Sequence, residues 1–280
     1  MNSLVKRPLL TYFGGKWKLA PWIISFFPKH EIYVEPFGGA ANVLLRKENS
    51  PIEIYNDLNN NILNIFKVLQ DKNLAYELKR QLKFTPYSRV EYENAYKESS
   101  DLIESVKNTI IRSMQGFGSI GTFNKDKVGF SCAKTRNKAR NWNIYKNNID
   151  NIIKRMENIV LENKDALDII KFYDGNDTIF YCDPPYTLDS IMMNANDIYN
   201  GYTLSDEKQE NLCNVLNNLT GMCILSGYDN DIYNDILKGW KKEYINVKTQ
   251  NNYRKEEILW LNPNISQKIN SNSSSLKKLF

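Results

Sequence analysis

The sequence predicts an α/β chain, a wound sheet interrupted by a mostly helical insert. Short apolar runs of strand length alternate with amphipathic helical stretches near both ends of the chain, the pattern of a layered α/β sheet. Between about Asp71 and Met156 the strand signal disappears and helical periodicity takes over. The length, 280 residues of which 42% are hydrophobic and 25% charged, lies near the upper limit of a single core. Such chains commonly carry a smaller domain inserted in a larger one.

Taken in order, Ile32–Glu35 reads as the first strand, followed by a tight Phe37-Gly38-Gly39 turn and a helix from Ala40 to about Arg46. Ile52–Asn56 is the second strand, and Asp57 leads from it into an amphipathic helix over Ile62, Ile65, Phe66 and Leu69. Helical stretches at Lys72–Lys83, Arg89–Lys97 and Leu102–Met114 adjoin a Gly-rich section, Gly116–Gly129. Strand character returns at Ile159–Glu162 and Thr178–Cys182, then at Met222–Ser226 after a helix over Glu207–Leu219, and finally at Ile258–Leu261. Residues 1–70 and 157–263 are therefore assigned to the main domain and 71–156 to the insert. The polar, Ser/Asn-rich segment 264–280 is expected to be a flexible tail.

Composition removes several function classes. No run of about 18 apolar residues is present, so no helical membrane span is expected. The N-terminal MNSLVKRPLLTYFGGKWK lacks the apolar centre of a signal peptide. Cys132, Cys182, Cys213 and Cys223 show no CxxC spacing, and His30 is the single histidine. That argues against a structural zinc site, another bound metal or a disulfide framework, and leaves little scope for His-based catalysis. A cytoplasmic, reducing location is expected. The net charge is +5. In Lys125–Arg140, six cations (Lys125, Lys127, Lys134, Arg136, Lys138 and Arg140) face the single carboxylate of Asp126. The excess is thus concentrated in one stretch, as contact with phosphates requires, although a solvated loop has the same composition.

The sharpest local signal is Asp183-Pro184-Pro185-Tyr186, directly after the apolar TIFYC run. In open α/β sheets ligands bind beyond the carboxyl ends of strands. Two prolines fix φ and remove backbone donors, leaving carbonyls that accept. With the acceptor-only Asp183 carboxylate, the Pro184 carbonyl can take both hydrogens of one planar amino group while Tyr186 stacks on its ring. The amine of a nucleobase is a poor nucleophile because its lone pair is delocalised. Two aimed acceptors favour a pyramidal nitrogen whose lone pair faces an electrophile, by placement and preorganised electrostatics alone. The electrophile belongs at the neighbouring strand ends. Glu35-Pro36-Phe37-Gly38-Gly39 closes the first strand, and Asp57, 22 positions beyond Glu35, ends the second. That spacing matches the acidic residue that binds ribose hydroxyls in Rossmann-type sites. The G-x-G-x-x-G phosphate loop is absent, which favours S-adenosylmethionine over a dinucleotide.

These motifs together resemble the Dam-like (D12 class) DNA adenine-N6 methyltransferases. In that family a [YW]-x-G-G-K segment, an E-P-F-x-G turn, a DNA-recognition insert and D-P-P-Y follow in this order. Here Tyr12-Phe13-Gly14-Gly15-Lys16, Glu35–Gly39, the basic helical insert and Asp183–Tyr186 occupy those places up to about Asn262. The resemblance implies a Rossmann-like S-adenosylmethionine-dependent methyltransferase sheet, with Tyr12, Gly14, Gly15 and Lys16 lining the cofactor pocket. It places Glu35 and Phe37 near the methionine end, Gly38 at the cofactor, Asp57 on the ribose and Asp165 on the cofactor adenine. Asp183 would touch both cofactor and target amine. Read alone, Asp165 is equally a helix N-cap. Ser226-Gly227-Tyr228-Asp229 departs from the Ser-Asn pair often found after that strand. The implied substrate is an adenine flipped out of double-stranded DNA, with the loop from Thr187 to Leu204, including Tyr199 and Tyr202, closing over it. Candidate contacts to DNA are Arg112, Gln115, Asn124, Lys134, Arg136, Lys138 and Arg140, whereas Phe117, Phe123 and Phe130 read as local core. A monomer is expected, with any cognate restriction endonuclease acting separately. Competing readings are an RNA adenine methyltransferase, transfer to a cytosine amine, and a non-enzymatic nucleic-acid-binding protein that retains the fold.

Overall fold

The computed structural model describes residues 4–118, 128–185, 204–248 and 254–269. Seven strands form one sheet: β1 (Ile32–Glu35), β2 (Ile52–Asn56), β3 (Ile159–Glu162), β4 (Thr178–Cys182), β5 (Met222–Gly227), β6 (Lys241–Lys248) and β7 (Arg254–Leu261). Their spatial order is β3-β2-β1-β4-β5-β7-β6. The first five run parallel, while β7 pairs antiparallel with both β5 and β6. Chain order reverses between β1 and β4, which opens a crevice beyond their carboxyl ends. This is the α/β, Rossmann-like architecture expected from the sequence.

Strand alternation sends successive residues to opposite faces, each with its own core. Tyr33, Tyr55, Ile179, Tyr181 and Ile224 belong to one apolar cluster; Val34, Ile54, Phe180, Cys182 and Cys223 belong to the other. The second cluster is completed by helices α7 (Ala166–Tyr173), α8 (Asp206–Asn217) and α9 (Asp231–Ile236). The first is covered by α2 (Asn60–Gln70), α3 (Lys72–Phe84), α5 (Leu102–Gln115) and α6 (Lys138–Met156). Two short helices, α1 (Ala20–Ile24) and α4 (Arg89–Asn94), are also present. Each large apolar side chain buried here contributes about 1.5–3 kcal/mol. Ile110, Ile149 and Ile152 share a cluster with Phe66 and Tyr55, so α5 and α6 belong to the layer that covers the sheet.

The N-terminal segment is stitched to the same helices. The Tyr145 hydroxyl donates to the Leu9 carbonyl at 2.9 Å, Asn148 brackets Lys6 and Arg7, and the Thr11 N–H donates to Ser113 at 2.8 Å. These bonds carry Tyr12–Lys16 to the end of the sheet.

Two sequence expectations are corrected. The helix expected over Ala40–Arg46 is a succession of turns. Gly39 and Ala41 take left-handed φ values of 48° and 52°, and the Leu44 N–H donates to the Glu35 carboxylate rather than to a carbonyl one turn back. The tail expected to fray from Asn264 is helical over residues 263–269. Its Ile265 is buried, and Asn264 donates to the Leu219, Thr220 and Gly221 carbonyls. No helix among the described residues is long and apolar enough to cross a membrane.

Candidate active site

A cavity of ≈ 390 Å³ opens at the carboxyl ends of β1, β2, β3 and β4. Its walls are the Tyr12–Lys16 turn, Glu35–Ala40 after β1, Asp57 after β2, Asp165 after β3 and Asp183–Pro185 after β4, with Lys208 and Asn211 of α8 at the far side. The tetrapeptide beginning at Asp183 therefore shares one space with the first strand ends. Tyr186, its last residue, lies outside the described residues.

The turn at Tyr12–Gly15 is closed by the Gly15 N–H donating to the Tyr12 carbonyl at 3.1 Å, with Gly14 at φ 71°. A Cβ on Gly15 would come within 2.7 Å of Asn42 and 2.9 Å of the Tyr12 carbonyl, so side chains are excluded where these two walls meet. Lys16 is only 4% exposed. Its ammonium donates to the Gly14 carbonyl and to Asp183 Oδ1, each at 3.0 Å, and stands 3.9 Å from Glu257. Burial alone drives an ammonium toward neutrality. The carboxylates of Asp183 and Glu257 more than reverse this and hold Lys16 charged, well above the usual lysine range.

Glu35 ends β1 with its carboxyl buried. Oε1 accepts from the Tyr33 hydroxyl at 2.6 Å and the Leu44 N–H at 2.7 Å. Burial pushes this carboxyl up to about 7, against the lowering effect of those two donors. Asp57 braces the glycine turn by accepting from the Gly39 N–H at 2.8 Å and the Asn59 N–H at 2.7 Å, and burial raises its pKa as well. Asp165 caps α7 through the Leu167 N–H at 2.8 Å while lining the cavity, so capping does not remove it from the site. Four carboxylates thus face a space in which the one buried lysine is already paired. Such a lining suits a ligand rich in hydrogen-bond donors and positive charge and disfavours a pyrophosphate.

The sequence matches the family of D12 class N6 adenine-specific DNA methyltransferases over residues 12–253. The chain belongs to this family. Two proteins named DNA adenine methylase, from Vibrio cholerae serotype O1 strains ATCC 39541 and ATCC 39315, are each 28% identical over 214 residues. The alignment covers 72% of this chain and 73% of each relative.

Within this D12 class protein, residues expected at the cofactor converge on one cavity: Tyr12, Gly14, Gly15, Lys16, Glu35, Phe37, Gly38, Asp57, Asp165 and Asp183 all line it. The expected DNA contacts divide. Lys134, Arg136 and Arg140 are exposed and Lys138 is half-buried, and the three exposed cations have no ion-pair partner among the described residues. Gln115 is corrected: it is 0% exposed, its amide donating to the Pro86 carbonyl and accepting from the Ser88 N–H, so no edge is left for a base. Arg112 is largely spent inside the fold, donating to the Ala95 carbonyl and Thr109 at 3.1 Å each. Phe130 packs against Tyr87 and Tyr92 as local core, whereas Phe117 is 69% exposed and does not. Asn124, Phe123, Tyr199 and Tyr202 lie outside the described residues.

Sequence reasoning missed Asn56, Asn42 and Glu257. Asn56 donates to the Pro36 and Lys164 carbonyls and accepts from the Lys164 N–H, tying three strand-end loops together. A polar residue closing an apolar strand was its available signal. Asn42 lines the cavity with a buried carbonyl that has no hydrogen-bond partner among the described residues. A buried ion cluster was equally silent: Arg155 of α6 bonds Glu53 bidentately at 2.5 and 2.8 Å, and Lys47 pairs with the same carboxylate.

Proposed function

We propose that this chain transfers a methyl group from S-adenosylmethionine to the N6 amine of an adenine flipped out of duplex DNA. The observation that carries the proposal is the opening of Asp183, Pro184 and Pro185 onto the cavity bounded by Glu35, Asp57 and Asp165. The residues fit the cofactor. Asp57 and Asp165 are acceptors suited to ribose hydroxyls and an adenine amine, Glu35 suits an ammonium, and glycines at 15 and 39 let the turns that wall the cavity approach Asn42 and Tyr12 more closely than a Cβ would allow. When bound, S-adenosylmethionine supplies an electrophilic methyl group on a sulfonium.

The protein's part is placement and electrostatics. Asp183 and the Pro184 carbonyl accept the two amine hydrogens and turn the nitrogen lone pair toward the methyl. Lys16 fixes the Asp183 carboxylate by its bond to Oδ1. Cavity walls hold donor and acceptor at attack distance, the source of most of the rate gain when no covalent step intervenes. Tyr186 stacks on the extruded base, which offsets part of the few kcal/mol of unstacking.

Residues 71–156 act as the target-recognition insert, and Lys134, Arg136, Lys138 and Arg140 contact the DNA backbone. Lys138 and Arg140 stand in the first turn of α6, where the helix dipole disfavours cations. A phosphate placed there offsets that cost.

Incubation with methyl-labelled cofactor and duplex DNA, single-stranded DNA or structured RNA tests the proposal. Label on N6-methyladenine in duplex DNA is expected. Label on RNA alone, on cytosine alone, or on nothing refutes it.

A further inference from the structure

We infer that Glu257 and Tyr228 are positioning residues for Asp183 and act on it through Lys16; this rests on the proposed methyl transfer at that site. Neither residue lies near Asp183 in the sequence. Both arrive by way of the antiparallel part of the sheet: Glu257 from β7, and Tyr228 immediately after β5, beside which β7 pairs with Gly227 opposite Ile258.

The Tyr228 hydroxyl donates to Glu257 Oε1 at 3.2 Å. Glu257 Oε2 is buried, accepts no hydrogen bond among the described residues, and stands 3.9 Å from the Lys16 ammonium. The same ammonium touches Asp183 Oδ1 at 3.0 Å. Lys16 is therefore shared between two carboxylates, one in the proposed catalytic tetrapeptide and one on β7.

Charge explains what the second carboxylate does. An isolated Lys16–Asp183 pair is neutral, and an ammonium that close withdraws electron density from the acceptor on which the amine depends. Adding Glu257 returns the cluster to a net −1. It also competes with Asp183 for the Lys16 ammonium, which weakens the hold of that ammonium on the catalytic carboxylate. The negative cluster favours a reaction in which positive charge passes from a sulfonium to the amine nitrogen. Tyr228 fixes the rotamer of Glu257, and its hydroxyl is the one donor that Glu257 is seen to use among the described residues. This gives a use to Tyr228 within the Ser226-Gly227-Tyr228-Asp229 stretch at the end of β5.

Glu257→Gln keeps shape and can still accept from Tyr228 while removing the charge. Its kcat, at saturating cofactor and duplex DNA, is expected to fall at least tenfold with the Kd for S-adenosylmethionine within threefold of the parent. Tyr228→Phe is expected to lose a smaller factor of about three to ten. The decisive comparison is a double-mutant cycle with Lys16→Met, because a residue acting through Lys16 loses its influence once the ammonium is gone. In that background, adding Glu257→Gln is expected to change kcat by less than threefold. A merely structural role predicts the same loss in both backgrounds, together with a lower Tm, and that result overturns the inference. So does an unchanged kcat in Glu257→Gln beside an active parent, which leaves the proposed methyl transfer standing. A parent that transfers no methyl group to any nucleic acid removes the proposed function and this inference with it.

Discussion

Glu35→Gln is expected to stabilise the protein at neutral and alkaline pH and to leave it unchanged in acid. Glu35 is 2% exposed, and burial raises its carboxyl from 4.5 to about 7. Between those two values the folded state holds a proton that the unfolded chain releases. By linkage, the stability owed to neutral Glu35 is fully present below pH 4.5 and is lost as pH rises through about 7. At about 1.36 kcal/mol per pH unit over that interval, the loss amounts to about 3 kcal/mol. Glutamine retains an oxygen to accept from the Tyr33 hydroxyl and the Leu44 N–H, so the variant keeps both bonds without the ionisation. Urea denaturation of both proteins from pH 4 to pH 8.5 measures the difference. The variant's advantage is expected to grow from near zero to about 3 kcal/mol across this range. A difference independent of pH refutes the account of Glu35 as an acid buried against its ionised form.

Under the proposed function, the same carboxyl is expected to make S-adenosylmethionine binding depend on pH. If Glu35 serves the ammonium of S-adenosylmethionine, calorimetry is expected to show affinity rising through about pH 7 with proton release, and neither effect in Glu35→Gln. Arg155→Met leaves Glu53 with Lys47 alone in a buried site and is expected to cost about 3 kcal/mol or more in chemical denaturation; an unchanged midpoint contradicts the structural weight given to that cluster. Neutralising Lys134, Arg136 and Arg140 together is expected to weaken duplex binding and reduce the slope of log K against log salt by about 2.7, at about 0.9 per phosphate contact. An unaltered slope removes this stretch from the interface.

The parts of the fold legible in the sequence are those set by local composition. Buried parallel strands leave continuous apolar runs, so β1, β2 and β4 stand where Ile32–Glu35, Ile52–Asn56 and Thr178–Cys182 were read, and the half-exposed outer strand β3 stands where Ile159–Glu162 was read. Edge strand β6, Lys-Lys-Glu-Tyr-Ile-Asn-Val-Lys, buries no side chain over residues 241–246 and carries the charges that protect an open edge, so it gave no strand signal. Helix α6 begins in a run of cations and asparagines, and its apolar stripe of Trp142, Tyr145, Ile149 and Ile152 is diluted by polar neighbours. The segment after Gly39 carried helical spacing, but the Glu35 carboxylate claims the Leu44 N–H and Arg155 claims the Leu44 carbonyl. Partners so distant in sequence leave no mark on local periodicity. The site divides in the same way. Asp183, Glu35 and Asp57 stand at strand ends where pattern alone finds them. Gln115 looked like a free polar residue until Pro86 and Ser88 enclosed it, and Glu257 joins the cluster only because β7 runs backwards beside β5.

The most direct test of the account is single-turnover methyl transfer by Asp183→Ala, measured as N6-methyladenine formed in duplex DNA with S-adenosylmethionine and DNA binding recorded separately. A fall of about a hundredfold or more, the scale of removing one preorganised electrostatic contact, is expected while DNA affinity is retained. A rate equal to that of the parent protein would contradict the claim that this carboxylate makes the amine reactive.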